Sequence, residues 1–192
     1  MQVVAILGSP RKGGNTETLV EAALRGVRAA GGEAQVFRVH DLDIRPCLGC
    51  GYCEREGKCK INDDMSRVNE LLARAEGLIF SSPVYFAGVS SPAKALIDRC
   101  QVYWARKNVL ELEAFENEIL IGRRGIFIAT AGSRDHGGAL FDPAIETVKL
   151  FFKAVDYTYS EEILVDNTDR KAVQERPELL EKAYAAGARL IL

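Results

Sequence analysis

Five short apolar runs alternate with five segments whose apolar residues recur at helical spacing, and this alternation constrains the fold more than any other feature. The runs are Val3–Leu7 before Gly8, Ala34–Val39, Leu78–Ser82 before Pro83, Gly125–Ala131, and a stretch around Tyr157–Val165. Between the first two, Leu19, Ala22, Ala23, Val27 and Ala30 line one helix face over Asn15–Ala30, and Gly31-Gly32 stops it. Met65, Val68, Leu72 and Ala75 mark a second helix, with Asp63 or Asp64 as N-cap and Gly77 at its end. Ala93, Leu96, Ile97, Cys100 and Trp104 share one face of a third, with Pro92 near its start. Ile145, Val148, Phe152 and Val155 give a fourth, and a last helix runs from about Pro177.

This β-α alternation predicts a five-stranded parallel sheet with helices on both faces, a three-layer α/β sandwich. Wholly apolar runs suit strands buried on both sides. The flavodoxin-like order 2-1-3-4-5 fits five such units. At 192 residues the chain reads as a single domain, 1–192, with no internal repeat or linker. Two connections are long, and loops of such length are usually functional or disordered. One, about 40–62, holds four of the five cysteines. The other, about 105–122, carries Leu110, Leu112, Phe115 and Ile119 and is expected to pack against something, such as another subunit.

Hydrophobic residues at 47% and charged residues at 27% exclude a disordered or collagenous chain. A net charge of −2 gives no electrostatic case for nucleic acid as the partner. No apolar run approaches the ~18 residues of a membrane span. Met1–Leu7 lacks a basic region and a cleavage site, so the expected compartment is a reducing cytoplasm. There, clustered cysteines favour metal or redox chemistry over structural disulfides.

The cysteine spacing is Cys47-x2-Cys50-x2-Cys53-x5-Cys59. With Gly49 and Gly51 between them, three thiols can curl around one centre, and Cys59 can close it from beyond Gly57. Four thiolates are the ligand count of a cubane iron–sulfur cluster. A tetrahedral zinc site is the competitor, although zinc sites usually set two C-x2-C pairs well apart. Free thiols, or a disulfide formed only on oxidation, are the third reading. Cys100 lies on an apolar helix face and reads as a buried structural thiol.

Gly8-Ser9-Pro10-Arg11-Lys12-Gly13-Gly14-Asn15-Thr16 joins the first strand to the first helix. Ligands of open α/β sheets bind beyond the strands' carboxyl ends, where a helix N-terminus attracts anions. Ser9, Asn15 and Thr16 add side-chain donors, and Arg11 adds a fork suited to phosphate. The segment reads as a mononucleotide phosphate site. It is neither a Walker A loop, since Gly14-Asn15 stands where Lys-Ser/Thr is needed, nor G-x-G-x-x-G. The plain alternative is a generic loop with Asn15 or Thr16 as N-cap.

After the third strand, Pro83, Val84, Tyr85 and Phe86 can wall a planar ring or pack on a neighbour. Thr130, Ala131, Gly132 and Ser133, with Gly137-Gly138, are small enough to admit a ligand. His136 in that loop has a solvated side chain as its ordinary reading. Asp98-Arg99 reads as a local structural contact and Arg123-Arg124 as a strand flank. No nucleophile elbow, His-rich motif or paired carboxylate supports hydrolysis.

Together these residues resemble the NADPH-dependent FMN reductase superfamily. Gly8-Ser9-Pro10-Arg11 with Gly14-Asn15-Thr16 is similar to its phosphate loop. Pro46-Cys47-x-Gly49-Cys50-x-x-Cys53, Gly57-x-Cys59 and Asp63-Asp64-Met65 resemble its iron–sulfur flavoprotein branch, as do Ser82–Phe86 and Lys94-x-x-x-Asp98-Arg99. The resemblance covers residues 1 to about 100 well and thins after about 134. It implies a flavodoxin-like fold, FMN and a [4Fe-4S] cluster. Ser9, Arg11, Asn15 and Thr16 would hold the FMN phosphate, and Pro83–Phe86 the isoalloxazine ring. Thr130–Ser133 would border the same site, and Cys47, Cys50, Cys53 and Cys59 would ligate the cluster. A homodimer or homotetramer is implied as well.

The expected function is an FMN-dependent oxidoreductase or electron-transfer flavoprotein that couples FMN to the cluster, with ferredoxin or NAD(P)H as redox partner. One alternative is an NAD(P)H-dependent FMN, quinone or nitro reductase without a cluster. An alternative of another class is a zinc- or thiol-based redox-responsive module, which would need neither the phosphate loop nor the third-strand turn.

Overall fold

The structure is a computed structural model that describes residues 1–115 and 122–191. Its strands are β1 Gln2–Leu7, β2 Glu33–Arg38, β3 Gly77–Tyr85, β4 Gly88–Val89, β5 Arg124–Thr130 and β6 Thr158–Val165. Its helices are α1 Asn15–Ala29, α2 Tyr52–Glu56, α3 Met65–Arg74, α4 Ser91–Arg99, α5 Gln101–Asn108, α6 Asp142–Ala154 and α7 Pro177–Arg189. The five long strands are parallel in the spatial order β2-β1-β3-β5-β6, which is the expected 2-1-3-4-5 counted over parallel strands alone. The sixth strand, β4, pairs antiparallel with the end of β3.

The central strands β1, β3 and β5 are buried on both sides, with alternate residues facing opposite layers, whereas the edge strand β2 is largely exposed. Val4, Ile6, Phe80 and Phe127 point to one layer, against Leu72, Leu96 and Phe152 from α3, α4 and α6. Val3, Ala5, Leu7, Ile79 and Ile128 point to the other, against Leu19 and Ala23 of α1 and Ala183 of α7. Helices α1 and α7 touch backbone to backbone, because a Cβ on Gly26 or Gly187 would strike the facing carbonyl. Arg123 is buried. It donates to Ala75 O at 3.1 Å and to Leu72 O, so a cation satisfies the orphan carbonyls at the end of α3.

Three sequence expectations shift. The third helix breaks: α4 ends at Arg99 and α5 starts at Gln101, so Trp104 is turned off the apolar face and is 45% exposed. Cys100, at the break, is buried as expected. The connection expected at 105–122 begins only after Asn108, because α5 runs that far. Phe115 packs on Tyr103 of its own chain, with ring centroids 4.5 Å apart, whereas Leu112 is exposed. Ile119 lies outside the described residues. No described helix is long and apolar enough to cross a membrane.

Candidate flavin and cysteine sites

At the carboxyl ends of β1, β3 and β5 lies a cavity of about 890 Å³. Its floor is the loop after β1. Gly8 must be glycine there, since a Cβ would lie 2.8 Å from Ser81 O and 2.9 Å from Ala93 Cβ. The Ser90 hydroxyl donates to Gly8 O at 2.6 Å and ties the loop to the start of α4. Gly13 takes φ +68°, and its N–H donates to Glu17 Oε2 at 2.7 Å. That buried carboxylate also pairs with Arg38 on β2. A negative charge in the first turn of α1 is favoured by the helix dipole.

Ser9, Arg11, Asn15 and Thr16 all reach this cavity. Thr16 and Thr130 share a 2.6 Å hydroxyl–hydroxyl bond that joins α1 to the end of β5. Asn15 Oδ1 accepts the Val173 N–H at 2.9 Å, so its amide nitrogen is the end left for a ligand. Gly14 holds the N-cap position of α1, with no side-chain cap, so neither Asn15 nor Thr16 serves there. Arg11 and the start of α1 stand at this cavity, an arrangement that suits an anion.

Pro83, Val84, Tyr85 and Phe86 form one wall. Residues Tyr85 and Gly88 pair across a two-residue turn in which Phe86 and Ala87 have φ +50° and +63°. Such a turn needs positive φ at both positions, a conformation costly for non-glycine residues and concentrated at ligand clamps. It holds the Phe86 ring fully in solvent beside the cavity. Thr130, Gly132 and Ser133 border the opposite side, but Ala131 does not: its side chain is buried in the core. The space a Cβ on Gly132 would need is filled by the Asp169 carboxylate. His136 is exposed and lies off the cavity.

The sequence reading missed Val89, Ser91, Ala95, Thr168 and Asp169 as lining residues, and quoted Gly14, Pro46, Lys94 and Asp98 only as motif members. The i,i+4 spacing of Lys94 and Asp98 after the third strand was an available signal. Nothing around Thr168-Asp169 forms a motif.

A second cavity, of about 930 Å³, is lined by Cys47, Cys50, Cys53 and Cys59. Gly49, Gly51 and Gly57 take φ between +59° and +64° and curl the loop. The Gly49 N–H donates to Cys47 Sγ at 3.5 Å. The N–H of Tyr52 pulls the Cys50 thiol below its ordinary pKa, while burial pushes Cys53 up. Glycine turns with N–H groups aimed at sulfur suit thiolate ligands. Among the described residues no three such ligands yet converge on one metal position.

The roots of this loop are zipped together. Asp43 N–H donates to Asp64 Oδ2 at 2.8 Å, and Arg45 N–H to Asp63 Oδ2 at 3.0 Å. Arg99, expected to make a local contact, instead reaches across and forks onto Asp63 at 2.6 and 3.1 Å. Burial pushes the Asp63 carboxyl up, but Arg99 and the N–H groups of Arg45 and Met65 outweigh it and hold it below its ordinary value.

The two cavities are neighbours. Lys94 and Asp98 of α4 line both, and Pro46, beside Cys47, stands on the wall of the first.

The model of the NADPH-dependent FMN reductase family matches residues 1–157. The chain belongs to this FMN reductase family. An iron–sulfur flavoprotein of Methanocaldococcus jannaschii is 44% identical over 99 residues, 52% of this chain and 51% of the relative. One from Archaeoglobus fulgidus is 35% identical over 150 residues, 78% of this chain and 70% of the relative. The chain thus spans about half the length of the first relative and 70% of the second. These relatives place it in the iron–sulfur flavoprotein branch of the FMN reductases. The NAD(P)H:quinone oxidoreductase from Methanothermobacter marburgensis shares the fold, with a TM-score of 0.74 at 18% identity over 99% of this chain and 98% of that one.

Proposed function

We propose that this FMN reductase family member is an electron-transfer oxidoreductase holding FMN in the first cavity and a [4Fe-4S] cluster on the four cysteines. The observation that carries the reading is the shared wall: Lys94 and Asp98 face both cavities, and one peptide step from Pro46 to Cys47 leads from one to the other. The names of the relatives and the sulfur-directed N–H groups support the cluster.

When bound, FMN supplies exchange of an electron pair and of single electrons, and the cluster supplies single-electron exchange, so the pair converts between the two kinds of carrier. The chain's own work is positional. The start of α1 and Arg11 bind the phosphate. The Thr16–Thr130 bond and the Glu17–Gly13 bond fix that loop. Pro83–Phe86 orient the ring, and the strained turn keeps Tyr85 and Phe86 at the entrance. The cysteine loop would bring its four sulfurs onto the cluster, which asks for rotation of thiols already lining one cavity. The redox partner in this reading is NAD(P)H or ferredoxin, the compartment is the cytoplasm, and the assembly is a homodimer or homotetramer.

A second reading, an NAD(P)H-dependent reductase without a cluster, is favoured by the lack of a converged ligand set among the described residues. A crossed pair of variants tests the site map. Arg11→Ala should lose FMN affinity and keep iron, and Cys50→Ser should lose iron and keep FMN. Loss of FMN with retention of iron in Cys50→Ser would refute the map.

A further inference from the structure

Arg99 is almost fully buried, with the Asp63 carboxylate buried against it. Its terminal nitrogens donate to both roots of the cysteine loop. Nη1 reaches Arg45 O at 2.8 Å, two residues before Cys47, and Nη2 reaches Ile61 O at 3.4 Å, two residues after Cys59. The Asp63 carboxylate takes the rest of the fork and itself accepts the N–H of Arg45. The clasp thus closes the loop that carries all four thiols.

The clasp leaves one donor over. Arg99 Nε is buried and makes no hydrogen bond, an arrangement that ordinarily carries the full desolvation cost of the donor. Arg99 borders the cysteine cavity, and the Cys59 sulfur is near enough to stabilise the guanidinium charge. Hydrogen bonds to sulfur and nearby charge are among the determinants of a cluster's potential.

We propose that Arg99 is the positioning residue of the cluster site: its fork clasps the two roots of the cysteine loop, and its Nε–H is reserved for a sulfur of the assembled cluster at the Cys59 corner. The inference rests on the two-cofactor reading above. It assigns Arg99 a role that a local structural contact would not have. Lysine at this position would keep the charge, but its donors sit on one compact nitrogen that could not span both roots and face a sulfur as well.

The test uses anaerobically purified wild-type protein with nitrogen-15 confined to its arginines, alongside Arg99→Lys. Iron, sulfide and FMN are assayed on both. Pulsed electron paramagnetic resonance of the reduced cluster then reads coupling to arginine nitrogen. The expected results are an arginine coupling in the wild type and its loss in Arg99→Lys. Iron loading should fall severalfold in that variant at unchanged FMN content. No arginine coupling in a fully loaded wild type overturns the proposal without help from any variant. An arginine coupling of unchanged size in Arg99→Lys overturns it too, and both results leave the cluster itself standing. A wild type with FMN but no iron overturns the two-cofactor reading, and this inference with it.

Discussion

Lys94 Nζ and Asp98 Oδ1 meet at 2.6 Å on the ridge of α4 that separates the two cavities. The pair is about half exposed, so water screens it and its worth is below about 1 kcal/mol. Lys94 nevertheless puts a cation at the flavin cavity, where it favours the more negative, reduced flavin. Lys94→Met should therefore make the FMN potential more negative by about 20 mV or less for two electrons. Spectroscopic titration against a reference dye checks this, and a positive shift would contradict it.

Glu17 sits behind the phosphate loop and serves two partners, Gly13 N–H and Arg38. Glu17→Gln should cost about 1–3 kcal/mol of stability, because the partly buried Arg38 loses its counter-charge. The loop should also bind FMN more weakly. Urea unfolding of the apoprotein separates the first effect, and flavin fluorescence titration the second.

The turn at Phe86-Ala87 stores strain. Ala87→Gly removes the penalty of a side chain at φ +63° and should stabilise the protein by about 1 kcal/mol. The freer turn should hold the ring wall less firmly. A higher melting temperature together with weaker FMN binding is the expected outcome.

The Asp63–Arg99 pair predicts an acid limb in stability. The folded Asp63 pKa lies below the unfolded value of about 4, so its contribution is fully present above that pH. It is lost as pH falls through the folded value. Asp63→Asn strands a buried cation and should cost about 3–5 kcal/mol at neutral pH. Its urea midpoint should also fall less steeply than the wild type's below pH 4.

Most of the sheet was legible because the central strands β1, β3 and β5 are apolar runs and Gly8 and Gly31-Gly32 mark the end of β1 and the approach to β2; Pro83 does not close β3, which pairs through it and runs on to Tyr85. The residues around the first cavity were legible for the same reason: the loop after β1 and the turn after β3 follow strand ends, where ligands of such sheets bind, and the two line one cavity. The hairpin to β4 was not, because Phe-Ala carries none of the Asn-Gly or Gly-Gly chemistry that announces a turn with positive φ. Nor was the break at Cys100. The apolar spacing runs straight through it, and Arg99 is held by the distant Asp63. That partner stands 36 residues away, and no local pattern pairs the two. Ala131 illustrates the reverse error: a small residue beside a ligand loop reads as room for a ligand, yet its side chain fills the core.

Iron, acid-labile sulfide and FMN measured on one sample purified without oxygen decide whether both cofactors reside on this chain. About four irons, four sulfides and one FMN per chain are expected. One FMN with neither iron nor sulfide, in protein never exposed to air, would contradict the two-cofactor reading and leave a reductase that works on flavin alone.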